Sequence, residues 1–138
     1  MSNERILVGI LAGSKSDQEY IDVIEKNLGE LGITFETNIL SAHRDPDKVA
    51  EYSKTAKERG LKIIIAAAGM AAALPGVVAA HTELPVIGVP LPGSHLNGVD
   101  ALYAIVQMPG GVPVATMAIG KAGAKNAAFM AKRILDLL

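Results

Sequence analysis

Short runs of β-branched and other apolar residues alternate along this chain with stretches in which apolar positions recur every three or four residues. The first pattern reads as buried strand and the second as amphipathic helix, and their regular alternation is the sequence form of a parallel α/β sheet. Strands are predicted over residues 6–11, 35–40, 63–67, 86–89 and 114–118. Between the first two, Ile21, Ile24, Leu28 and Leu31 fall on one helical face, and Gly32 follows as a stop. Asp45-Pro46 opens a second helix, an N-cap residue followed by proline in the first turn, with Val49, Tyr52 and Ala56 turned inward and Gly60 ending it. The Ala-rich segment after Gly69 is apolar on nearly all sides and contains Pro75-Gly76, so a helix there is buried, broken, or both. A last helix runs over about 122–138 with Ala127, Ala131, Ile134 and Leu138 in one stripe.

No linker, repeat or low-complexity tract interrupts this series, so residues 1–138 read as one domain. Five βα units predict an α/β fold: a three-layer sandwich around a five-stranded parallel sheet, flavodoxin-like in shape. Ligands of such sheets bind beyond the carboxyl ends of the strands, near the point where the strand order reverses. The loops after the strands are therefore where the chemistry belongs.

Composition narrows the ligand. Half of the 138 residues are hydrophobic and 20% are charged, yet there is no Trp, there are two Phe, and much of the apolar content is Ala, so small side chains pack closely. Net charge is −1 and the 13 Lys and Arg are scattered, which leaves no electrostatic footprint for nucleic acid or an anionic membrane. A small-molecule partner follows. The absence of Cys removes disulfides, Cys-ligated zinc and thiol nucleophiles. The N-terminus has an acidic residue before a short apolar run, with no cleavage-like continuation, and no window approaches the ~20 apolar residues of a membrane span. A soluble, unexported, cytoplasmic protein is expected. A mean hydropathy of +0.33 in so small a chain points to apolar surface beyond one subunit's core, and hence to a homo-oligomer.

Unusual residues cluster after the predicted strands. After the first comes Gly13-Ser14-Lys15-Ser16-Asp17, running into helix 1. A glycine turn with hydroxyls at a helix N-terminus exposes free N–H groups suited to phosphate, although Ser16 or Asp17 as a plain helix cap explains the same residues. After the second comes Ser41-Ala42-His43-Arg44-Asp45-Pro46. Arg presents a planar fork that fits phosphate, and the imidazole of His exchanges protons in both directions near neutrality; Asp45 is expected to cap its helix. The small residues 67–76 admit close approach of a flat ligand or of a neighbouring helix. Residues 90–98 form a turn-rich loop able to close over a site, with His95 in it, and His81 precedes the fourth strand at the opposite end of the sheet. The three histidines lack metal-ligand spacing, and there is no GxSxG, GxGxxG or Walker A pattern, so a metal hydrolase, serine hydrolase, nicotinamide enzyme or kinase is excluded.

Taken in order, GSKSD, SAHRDPD, GMAAALPGVVAAHTELPVIGVP and GVDALYAIVQMPGGVPVATMAIGKAGAKNAA resemble the class I 5-(carboxyamino)imidazole ribonucleotide mutases of purine biosynthesis, over essentially the whole chain. The resemblance implies conversion of an N-carboxylated aminoimidazole ribonucleotide into its C4-carboxylated isomer, without metal or organic cofactor, in a homo-octamer with sites at subunit junctions. It makes His43 the catalytic acid and base, and Ser14, Asp17 and Arg44 ligands of the substrate. Arg44 and Ser14 suit the phosphate, whereas the anionic Asp17 suits ribose hydroxyls. Ser41, Gly69 and Ala71 would line the base pocket, and residues 90–98 with the Ala-rich loop would form a lid that retains carbon dioxide. Many family members have His where Ala73 stands, and many continue into a further C-terminal helical tail. The related carboxylases that use free carbon dioxide often have Lys in place of Arg44, so SAHR and the QMP segment favour the mutase. The same two segments argue against the carboxylating enzyme that makes the nickel-pincer cofactor precursor. A non-catalytic nucleotide-binding module is the reading from another class.

Overall fold

Ile63, Ile65 and Ala67 alternate with Ile64, Ala66 and Ala68, and all six are buried. A strand apolar on both sides has to be covered on both sides. The computed structural model, which describes residues 5–138, places this strand at the centre of a parallel sheet with helices on each face. In chain order the elements are β1 (Val8–Ala12), α1 (Gln18–Glu30), β2 (Phe35–Ile39), α2 (Pro46–Thr55), β3 (Ile63–Gly69), α3 (Leu74–Ala80), β4 (Val86–Leu91), α4 (Val99–Val106), β5 (Ala115–Thr116) and α5 (Lys121–Leu135). Among the described residues the sheet has five strands in the order β2-β1-β3-β4-β5, with Val8 in register with Phe35 on one side and Ile63 on the other. This is the flavodoxin-like order, whose switch point lies between β1 and β3.

One face of the sheet carries α1 and α5, packed through Ile24, Leu28, Ala124, Ala127, Ala128 and Ala131 against Ile10, Ile65 and Val89. The other carries α2, α3 and α4, through Val49, Leu74, Val78, Ala101 and Ile105. Ala-rich α5 lies close to α1 because its inner side chains are so short. At Gly9 in β1 even a methyl group would run into the Tyr52 hydroxyl and lie 2.8 Å from Leu61 Cδ2, so a side chain here would have to displace both.

Several predicted boundaries move. The predicted strand at 6–11 becomes Val8–Ala12, and that at 114–118 shrinks to Ala115–Thr116, while β3 and β4 run two residues further than their patterns. α1 ends with Gly32 at φ 73; Ile33 N–H donates to the Leu28 carbonyl at 3.0 Å and buries its own side chain, which closes the helix as expected. α2 proper ends at Thr55, and the chain continues in turns to Gly60 at φ 99. Pro75-Gly76 does not break α3: Pro75 lies in its first turn, where its missing N–H is harmless, and 70–73 precede the helix. α5 ends at Leu135, and Leu138, expected on its inner stripe, is exposed beyond it. α4 is an element that the periodicity did not delimit; eight residues with Val99 and Tyr103 outward and Ala101 and Ile105 inward are too short to announce a stripe. Residues 1–4, on which the reading of the N-terminus partly rests, lie outside the described residues. Among the described residues no helix is long and apolar enough to cross a membrane.

Candidate active site

The carboxyl ends of β1, β2 and β3 deliver three loops to one cleft of about 940 Å³ at the switch point. Ser14, Asp17, Ser41, His43, Arg44, Gly69 and Ala71 all line it, so the structure brings every predicted site residue together. Ser16, Tyr20, Met70, Ala73, Pro92 and Gly93 line it too. Of these, Tyr20 and Met70 are the large side chains that sequence reasoning passed over. Tyr20 lies off the stripe of Ile21, Ile24, Leu28 and Leu31 read for helix 1, and Met70 is hidden in an apolar run.

The first loop is built around Ser14. Its Oγ accepts from Ser16 N–H at 3.2 Å and lies 2.8 Å from Ser16 Oγ, while its carbonyl accepts from Asp17 N–H at 3.1 Å. Residues 15–17 thus form a single 3-10 turn ahead of α1, capped by Ser14 rather than by Ser16 or Asp17; Asp17 stands at the N-cap of α1 without a side-chain capping bond. Its carboxylate is left to face the cleft. Burial there pushes the Asp17 carboxyl above the usual carboxylate range, opposed by a hydrogen bond from the Ser14 backbone.

The second loop is a self-supporting turn. Ser41 Oγ accepts from the N–H groups of His43 at 3.3 Å and Arg44 at 3.2 Å, and Asp45 N–H donates to the Ser41 carbonyl at 2.8 Å. Asp45 does not cap α2 as expected. Its Oδ2 instead accepts from Ser41 N–H at 3.2 Å, tying the two ends of the turn to each other. With their backbone groups held in this way, His43 and Arg44 project exposed side chains over the cleft, and among the described residues the Arg44 guanidinium has no ion pair. An unpaired guanidinium in a cleft with serine hydroxyls offers the kind of donors that a phosphate dianion accepts from.

The third loop supplies a surface of small groups, Gly69 and Ala71 to Ala73, that lets a flat ligand approach the backbone. The fourth differs from expectation. Pro90 and Leu91 belong to β4, so the loop after it begins at Pro92, and only Pro92 and Gly93 of it reach the cleft. His95 lies on its exposed outer part, where Ser94 Oγ donates to Asp100 at 2.8 Å and accepts from Leu96 N–H at 3.1 Å. His81 faces a separate recess with Lys54 and Glu83 at the other end of the sheet, its Nδ1 2.9 Å from the Val77 carbonyl. Among the described residues no group of three His, Asp or Glu side chains is gathered as a metal site would need.

The family model for AIR carboxylase matches residues 7–138. Over 130 residues the chain is 58% identical to the N5-carboxyaminoimidazole ribonucleotide mutase of Bacillus subtilis, covering 94% of this chain and 80% of that protein. It is 59% identical over 129 residues to the bifunctional purine synthesis protein purC/E of Dictyostelium discoideum, which covers 94% of this chain but only 13% of that much longer protein. Among solved structures, Treponema denticola PurE superposes with a TM-score of 0.83 at 33% identity, covering 95% of this chain and 80% of that one. A family model that spans almost the whole chain, relatives identical at more than half of its positions and a shared fold lead to one conclusion: the chain belongs to the AIR carboxylase family.

Proposed function

We propose that the chain is an N5-carboxyaminoimidazole ribonucleotide mutase of purine biosynthesis, acting as one carboxyl-transfer domain in the cytoplasm with a small-molecule ribonucleotide as its partner. The observation that carries this reading is the cleft, in which a phosphate-capable Arg44 and Ser14 and an exposed imidazole on His43 stand beside a small-residue surface. The substrate's phosphate lies against Arg44 and the Ser14 turn, the ribose hydroxyls donate to Asp17, and the heterocycle rests on Gly69 and Ala71 beside Ser41.

His43, as the imidazolium, protonates the carbamate nitrogen; the N–C bond breaks and carbon dioxide is released. C4 of the electron-rich aminoimidazole attacks the trapped carbon dioxide, forming the C–C bond, and the neutral imidazole of His43 then removes the C4 proton. The histidine ends in the state in which it began, so one group serves both transfers and the net change is an isomerisation. Assembly belongs to the same reading: the exposed apolar side chains of Leu96, Val99, Tyr103 and Val106 on and just before α4 support association into a homo-oligomer, which the family resemblance makes an octamer.

The decisive experiment supplies purified protein with the N-carboxylated ribonucleotide in the absence of added bicarbonate and ATP. Formation of the C4-carboxylated isomer is expected. Turnover that requires bicarbonate, with none from the carbamate, would instead make it a carboxylase of free carbon dioxide, the activity that the family's description names.

A further inference from the structure

Met70 directly follows β3 with φ 55, and among the described residues the other non-glycine residue at positive φ is Asn97. Asn tolerates the left-handed region because its short polar side chain bonds locally; a methionine has no such compensation. Packing within the subunit does not compensate either, since the residue is 64% exposed there. A long apolar side chain held on a disfavoured backbone and left in water is unfavourable on both counts, and such positions persist where a site uses them. Met70 lines the active-site cleft.

The cleft is divided by chemistry. The β1 and β2 loops supply hydroxyls, a carboxylate, an imidazole and a guanidinium, whereas the side after β3 supplies Gly69, alanines, the buried Leu74 and Met70. Met70 is thus the exposed long side chain on the side where a base would lie.

We propose that Met70 is a substrate-positioning residue that folds over the cleft and packs its thioether on the face of the bound heterocycle. The proposal rests on the mutase reading for the identity of that heterocycle. Three rotatable bonds let the side chain adapt, its sulfur makes favourable contacts with aromatic rings, and its apolar surface, exposed in the single subunit, is covered by a bound ring.

Met70→Gly and Met70→Leu test this. Glycine suits φ 55, so Met70→Gly should melt no lower than wild type. Its KM for the N-carboxylated ribonucleotide, and its Kd for the aminoimidazole ribonucleotide by calorimetry, should rise about three- to tenfold, with kcat within about twofold of wild type. Met70→Leu should keep KM within about twofold, and ribose 5-phosphate, which lacks the heterocycle, should inhibit wild type and Met70→Gly equally. An unchanged KM and Kd in Met70→Gly, an equal loss of ribose 5-phosphate binding, or a fall in particle mass by light scattering would overturn the proposal. If wild type binds the ribonucleotide without turning it over, the mutase reading fails alone, and the Kd comparison still decides the role of Met70.

Discussion

His43 and Arg44 are held by a turn whose hydrogen bonds come from their own backbone groups and from Ser41 and Asp45, so their side chains remain free for a ligand. Substituting either side chain therefore changes chemistry without removing a bond on which the loop depends. His43→Asn keeps polarity and approximate size but has no group that exchanges a proton near neutrality. Turnover should fall by about 10²-fold or more, while ribonucleotide affinity measured by calorimetry stays near wild type. His81→Asn, in the recess at the opposite end of the sheet, should leave turnover nearly intact. Near-normal turnover in His43→Asn would remove the proton-transfer role assigned to it.

At the scale of elements, the β2–α2 unit that carries this turn is closed at its far end by three side chains. Tyr52 Oη donates to Glu36 Oε2 at 2.6 Å, Arg59 donates to both Glu36 oxygens at 2.6 and 3.2 Å, and the guanidinium lies 5.2 Å from the centre of the Tyr52 ring. The hydrogen bond from Arg59 is the main cause that holds the Glu36 carboxyl below its usual range; partial burial opposes it, and Tyr52 adds to the lowering. Burial and the Glu36 carboxylate in turn push the Tyr52 phenol well above its ordinary value. Because the folded chain favours the Glu36 carboxylate, it binds fewer protons there than the unfolded chain. The resulting stabilisation is present above the ordinary glutamate pKa of about 4.3 and is lost as pH falls through the lower folded value. Glu36→Gln should therefore melt below wild type at pH 7, with the gap in Tm narrowing as pH drops below about 4. A gap that stays constant with pH would mean that the ionised carboxylate contributes nothing to the clamp.

Across the whole molecule, part of the Ala-rich stretch is taken up by the subunit's own packing. Ala72 is buried in the subunit's own core, so a bulky residue there perturbs folding rather than assembly. Around α4, by contrast, Leu96, Val99, Tyr103 and Val106 expose apolar groups, and the proposed assembly would use that face. Tyr103→Glu places a charge in that patch and should lower the particle mass in sedimentation while leaving the far-UV circular dichroism of the subunit unchanged. An unaltered mass would move the interface to another face.

Much of this molecule follows from local pattern. Two-sided apolar runs dictate a covered parallel sheet, helical spacing in α1 and α2 dictates which faces turn inward, and the strand-loop rule places the loops after β1, β2 and β3 at one end. The segments Gly13 to Asp17, Ser41 to Arg44 and Gly69 to Ala71 were legible for that reason as candidate segments that would meet at one cleft. What the pattern could not decide depends on contacts distant in sequence or on backbone angles. α4 is too short for periodicity to announce, and β5 is as short as its pairing with β4 allows. Asp45 reads as a helix cap until the turn brings Ser41 N–H to its carboxylate. Met70 reads as one more apolar residue until the tertiary structure gives it a left-handed backbone and an open place in the cleft. Periodicity records only whether a position is apolar, whereas the direction in which a loop residue projects is set by φ and ψ and by neighbours that only the folded chain brings together.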